Sequence, residues 1–85
     1  MEIVFSPQAI EDWEYWKKSG NKILQKKIQE LLSSIEKTPF EGIGKPEALK
    51  HNLSGKWSRR INHEHRLIYK VDGNVIIIIA LRFHY

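Results

Sequence analysis

Apolar residues recur along this chain with two different periods, and the change of period divides it into a helical half and a strand-forming half. Ile3-Val4-Phe5 is a short β-prone run that stops at Ser6-Pro7. Serine followed by proline marks a helix start. The hydroxyl can accept a free backbone amide, and proline in the first turn gives up an N–H that has no helical partner there. Ala9, Ile10, Trp13 and Trp16 then fall at helical spacing, with Glu11, Asp12, Glu14, Lys17 and Lys18 mostly elsewhere on the surface. Gly20 ends this helix and Asn21 can cap a second. The second helix carries one apolar stripe, Leu24, Ile28, Leu31, Leu32 and Ile35, and turns Lys22, Gln25, Lys26, Lys27, Gln29 and Glu30 away from it. Thr38-Pro39 stops it, because the residue before proline is pushed out of the helical region. The two helices are expected to form a hairpin over one face of a sheet.

Pro39, Gly42, Gly44 and Pro46 make residues 39–48 an irregular loop. Three strands are expected after it, around Leu49–Leu53, Trp57–Ile61 and Arg66–Val71. Asp72-Gly73 is a hairpin signal, and a strand over Val75–Arg82 follows. That strand is apolar at odd and even positions alike, which predicts burial on both faces and a central place in the sheet. By the period of two, Arg82 and His84 share one face and Leu81, Phe83 and Tyr85 the other. The fold class expected is α+β: two amino-terminal helices packed on one face of a small, mainly antiparallel, twisted β-sheet, with residues 1–85 as one domain.

Composition narrows the setting. Eighty-five residues give a thin core in which each buried aromatic counts. A hydrophobic fraction of 41% with 28% charged residues describes a globular chain rather than a disordered one. The net charge of +4 favours acidic partners. Cysteine is absent, which removes disulfides and thiolate zinc sites and suits a reducing compartment. The start MEIVFSPQ shows no basic stretch followed by an apolar run, so no secretory leader is expected, and Val75–Leu81 is too short to cross a bilayer as a helix. A cytoplasmic protein without membrane contact is expected.

Chemistry concentrates in residues 45–69, KPEALKHNLSGKWSRRINHEHRLIY. Lys45, Lys50, Lys56, Arg59, Arg60, Arg66 and Arg82 all lie in the second half of the chain. Each alone reads as solvated surface charge. As a set in one sheet, interleaved with Trp57 and Tyr69, they suit a phosphate backbone with bases available for stacking. Glu47 is the only carboxylate between Glu41 and Glu64. Metal-free RNA cleavage needs a base for the 2′-hydroxyl, cations for the phosphorane and an acid for the leaving 5′-oxygen. Glu47, the arginines and a histidine supply that inventory, although a lone loop glutamate is more often a plain surface charge. Of the four histidines, His63 and His65 flank Glu64 in a turn. The H-x-H spacing lacks the further carboxylates or cysteines of a metal site, so no metal or cofactor is expected, and His65 is read as fixing the turn. His51 lies beside Lys50 and is uncommitted. His84, beside cations near a strand end, suits a proton donor. Trp13, Tyr15 and Trp16 are read as helix packing.

The run GKPEALKHNLSGKWSRRINHEHRLIY, with Arg82-Phe83-His84-Tyr85 after it, closely resembles the YoeB-type toxins of the RelE/ParE superfamily. SPQAIEDWEYW and TPFEGIGKPE fit the same pattern, so the resemblance covers essentially the whole chain. It implies a compact sheet on two helices and an mRNA endoribonuclease working on translating ribosomes, restrained by a YefM-type antitoxin. A homodimer is left open. It also implies Glu47 as general base, Arg66 as phosphate stabiliser, His84 as general acid and Tyr85 as its helper at the substrate. Lys50 and Arg60 would hold messenger and ribosomal RNA, and the product would carry a 2′,3′-cyclic phosphate. Ala48 stands where the family commonly has proline, which loosens the segment bearing Glu47, and Phe83 stands where tyrosine is common. Two other readings remain. One is a non-catalytic inhibitor of the same fold that acts by binding, as ParE-type relatives act on gyrase; the other is a plain RNA-binding module. The first has no use for Glu47, Arg66 and His84 together, and the second leaves the terminal Arg82-Phe83-His84-Tyr85 unexplained.

Overall fold

The computed structural model describes residues 1–82. In chain order these form β1 (Glu2–Phe5), α1 (Pro7–Ser19), α2 (Lys22–Lys37), β2 (Glu47–Ala48), a 3₁₀ turn (His51–Leu53), β3 (Trp57–Arg60), β4 (Arg66–Asp72) and β5 (Val75–Ala80). The strands make one sheet in the order β1-β5-β4-β3-β2. Pairing is antiparallel except between β1 and β5, which run parallel with Glu2 opposite Val75 and Phe5 opposite Ile78.

The helix boundaries follow the local chemistry. Ser6 Oγ accepts the Ala9 amide at 3.1 Å and Pro7 opens α1, which ends at Gly20 with φ 75°. Asn21 Oδ1 accepts the Leu24 amide at 3.1 Å to start α2, and Thr38 closes it. Ile28, Leu31 and Ile35 are fully buried, with Leu24 and Leu32 packed beside them. Each fully buried aliphatic contributes about 1.5–3 kcal/mol relative to exposure, so this stripe fixes α2 on the sheet. From the sheet, Leu67, Tyr69, Ile76 and Ile78 meet the helices, and Ile3, Phe5 and Val71 pack against the same core.

Several expectations are corrected. Leu49–Leu53 is not a strand, because His51 takes φ 59° and the chain folds into a 3₁₀ turn. The ladder strand lies just before it, where Glu47 and Ala48 pair with Ser58 and Trp57. β5 stops at Ala80 and residues 81–82 form a bend, so the strand expected over Val75–Arg82 ends two residues early; the face expected for His84 lies outside the described residues. β5 lies between β1 and β4 as an inner strand, but only Ile76, Ile78 and Ala80 are buried, while Val75, Ile77 and Ile79 are half-exposed. Within α1, Ile10 is 52% exposed, whereas Asp12 is 3% exposed and buried.

Candidate functional site

Strand register decides which candidate residues share a surface. On β3, Trp57 and Arg59 pair with Tyr69 and Leu67, whose side chains face the helices; Ser58 and Arg60 therefore face the other way. Glu47 stands opposite Ser58, Ile68 stands opposite Ser58 from the other side, and Arg60 stands opposite Arg66. One sheet face, turned from the helices, thus carries Glu47, Ser58, Arg60, Arg66 and Lys70. With strands about 4.8 Å apart and residues about 3.3 Å apart along each, Glu47 and Arg66, two strands over and two residues along, stand roughly 12 Å from each other across that face. Their long side chains can reach toward one phosphodiester from opposite sides. Glu47, Arg60 and Lys70 are exposed, and Arg66 is half-buried.

The next basic groups come from the loop joining β2 to β3. Leu49 N–H donates to Lys56 C=O at 2.9 Å, and Leu53 N–H to Lys50 C=O at 3.1 Å, so the loop is cross-braced and holds Lys50 and Lys56 beside the Glu47 end of the sheet. Lys50 is exposed and Lys56 half-buried.

Arg59 is a correction. Assigned from sequence to RNA, it is 0% exposed, and all five of its N–H donors are used inside the protein. Nη1 donates to Ser34 Oγ (2.7 Å) and Ile43 C=O (3.1 Å), Nη2 to Thr38 C=O (2.7 Å) and Glu41 C=O (2.8 Å), and Nε to Tyr69 Oη (3.2 Å). The cation is held by neutral acceptors and leaves no donor for a phosphate. It ties the end of α2 and the loop before β2 to the sheet. Gly42 and Gly44 let that loop close: with φ 122° and 82°, an added Cβ would meet Ser34 Oγ in one case and Leu31 Cδ2 in the other. Tyr69 completes the node by donating from its hydroxyl to Pro39 C=O at 2.6 Å. Burial pushes the Tyr69 phenol above its ordinary pKa, partly offset by the Arg59 hydrogen bond.

Base stacking on Trp57 and Tyr69 is likewise corrected. Tyr69 is fully buried, and Trp57 lies on the helix side with its ring 5.0 Å from Phe40. His65 fixes its turn as expected: its N–H reaches Asn62 Oδ1 at 2.7 Å, its C=O accepts from Ile61 and Asn62, and its ring packs edge-on against Trp16. His51 and His63 are exposed. Arg82 is engaged by α1, with its guanidinium carbon 3.5 Å from the Tyr15 ring centroid. His84 and Tyr85 lie outside the described residues.

Sequence reading missed Asp12. It sits three residues after Ala9 and four before Trp16, on the apolar side of α1, and that position was the visible signal. Its Oδ2 accepts Leu81 N–H at 2.8 Å, its Oδ1 accepts Gln8 Nε2 at 2.8 Å, and Trp16 Nε1 donates to Leu81 C=O at 2.8 Å.

Among the described residues no helix is long and apolar enough to cross a membrane. The family model for YoeB-like toxins of bacterial type II toxin–antitoxin systems matches residues 5–85. Toxin YoeB of Escherichia coli K12 is 51% identical over 85 residues, covering 100% of both chains. Among solved structures, a YoeB/ParE toxin from Agrobacterium tumefaciens superposes with a TM-score of 0.94 at 40% identity, covering 100% of each chain. The toxin chain of a YoeB–YefM complex from Staphylococcus aureus gives 0.88 at 57% identity, over 100% of this chain and 98% of that one. Identity this high along the full length, on the same fold, decides membership: the chain belongs to the YoeB-like toxins of bacterial type II toxin–antitoxin systems.

Proposed function

We propose that this toxin is a ribosome-dependent mRNA endoribonuclease that cleaves its substrate in the ribosomal A site without a metal. The carrying observation is the shared sheet face, where register sets the Glu47 carboxylate two strands from Arg66, which pairs with Arg60. Glu47 takes the proton of a ribose 2′-hydroxyl, and the oxygen attacks the adjacent phosphorus. Arg66 carries the charge developing on the non-bridging phosphate oxygens. His84 protonates the departing 5′-oxygen, assisted by Tyr85 at the substrate. The P–O5′ bond breaks as P–O2′ forms, leaving a 2′,3′-cyclic phosphate and a free 5′-hydroxyl. Lys50, Lys56 and Arg60 hold messenger and ribosomal RNA through phosphate contacts. In this reading the protein is cytoplasmic, its partners are the ribosome and a YefM-type antitoxin, and a homodimer is compatible with it.

The test mixes purified protein with programmed ribosomes and end-labelled mRNA, with Glu47→Gln and His84→Ala beside wild type. One A-site cut ending in cyclic phosphate, lost or greatly slowed in both variants, is expected. Tight ribosome binding without any cut by wild type would replace the enzyme with an inhibitor that acts by occupancy.

A further inference from the structure

Four contacts converge on the stretch from Ile79 to Arg82, where β5 ends and the chain runs on, and all four come from α1 or the residue that caps it. Ser6 Oγ donates to Ile79 C=O at 2.8 Å, at the end of β5. Asp12 Oδ2 accepts the Leu81 amide, while Trp16 Nε1 donates to the Leu81 carbonyl, each at 2.8 Å. The peptide groups on either side of Leu81 are therefore gripped by side chains of one helix. One residue later the Arg82 guanidinium lies over the Tyr15 ring at 3.5 Å. Asp12 is itself steadied by Gln8, and its partners are a backbone amide and a side-chain amide rather than a cation. A buried carboxylate is a costly way to fasten a strand end when an apolar side chain would fill the space. What it adds is direction: a carboxylate on the Leu81 N–H and an indole on its C=O fix the two peptide planes that flank this residue.

We propose that Asp12 and Tyr15 are positioning residues for the general acid proposed at His84, acting through the α1 clamp on Leu81–Arg82, from which the chain runs on to it. This rests on the reading of His84 as general acid. Neither residue touches RNA in it. Displacement of a proton donor by about 1 Å is enough to slow a chemical step by up to about a hundredfold, and His84 follows Arg82 by only two positions.

The test separates positioning from fold maintenance through the leaving group. Programmed ribosomes carry mRNA with either the natural linkage or a 5′-bridging phosphorothiolate at the A-site codon. A thiolate departs without protonation, so a fault confined to the acid disappears on that substrate. Asp12→Asn keeps the side chain's size, and Tyr15→Leu alters a residue that is 43% exposed, so its variant folds even where an Asp12 variant does not. Both variants are expected to cleave the natural linkage about tenfold or more slowly at saturating ribosomes, to keep their half-saturating concentration, and to cleave the phosphorothiolate at the wild-type rate. His84→Ala is expected to behave in the same way, with a deeper loss. Failure of the thiolate to restore His84→Ala would overturn the acid assignment itself. With His84→Ala restored, wild-type cleavage of the natural linkage by both variants, or equal slowing on both linkages, would overturn the clamp alone.

Discussion

Arg59 and Arg60 are neighbours in the chain and face opposite sides of the sheet: Arg59 is sealed beneath the helices with every donor engaged, while Arg60 is exposed opposite Arg66. The same side-chain chemistry therefore serves cohesion at one position and is left open to solvent at the next. Arg59→Ala removes a donor from each of the carbonyls of Thr38, Glu41 and Ile43 and the hydroxyls of Ser34 and Tyr69. It is expected to cost about 3 kcal/mol or more in unfolding free energy. Arg60→Ala should change stability by less than about 0.5 kcal/mol and lower the salt dependence of RNA binding by roughly one counterion. Urea unfolding with a salt titration decides both; equal destabilisation by the two would contradict the division.

Arg66 and Lys56 should separate chemistry from attachment. Arg66→Ala is expected to slow single-turnover cleavage by about a hundredfold to a thousandfold at saturating ribosomes, as loss of one oxyanion donor does. Lys56→Ala should raise the half-saturating concentration in a salt-dependent way and leave the saturated rate near wild type. Comparable loss of saturated rate in both variants would remove Arg66 from the phosphate.

Tyr69 predicts alkaline weakening. Its folded pKa lies above the ordinary 10.0 because of burial. Above pH 10.0 the unfolded chain therefore releases this proton before the folded one does. The folded state then holds more protons, so stability falls as pH rises from about 10 through the folded value. Tyr69→Phe loses the bond to Pro39 at every pH, so the slope rather than the level is the readout. Unfolding midpoints across neutral to alkaline pH should fall more steeply for wild type than for Tyr69→Phe, and parallel curves would show that the phenol is not responsible.

Ser58 is fully buried opposite Glu47, and its hydroxyl has no hydrogen-bond partner among the described residues. A buried unsatisfied hydroxyl costs about 1–3 kcal/mol, so Ser58→Ala is expected to leave the unfolding midpoint unchanged or raise it. A clear drop in calorimetric Tm would mean that the oxygen has a partner in solution.

Elements whose cause is local were legible in the sequence. Ser6-Pro7, Gly20-Asn21 and Thr38-Pro39 act through their own backbone, and the helices start and stop there. Asp72-Gly73 turns β4 into β5 for the same reason. What misled was chemistry decided at a distance. Arg59 reads like Arg60 until β3 is paired and its parity shows that one of them must point at α2. Asp12 reads as surface because its partner, the Leu81 amide, lies 69 positions away. The strand expected at Leu49–Leu53 failed on one dihedral angle, the positive φ of His51, which no apolar pattern reports. Glu47 was singled out by its chemistry, but its place on a paired strand, and so its shared face with Arg66, needed the register.

The contacts closing the fold fall into two groups by the length of chain each must loop. β3 and β4 join through a short turn, as do β4 and β5, whereas Ser6 meets Ile79 across 73 positions and Trp16 meets Leu81 across 65. Loop-closure entropy and the slowness of non-local pairing place the second group late on the folding path. The hairpin carrying Arg60 and Arg66 is therefore expected to take shape before α1 seizes the end of β5. On the endonuclease reading proposed above, stopped-flow refolding followed by RNA binding and by cleavage should show binding return first, and simultaneous return would contradict this order.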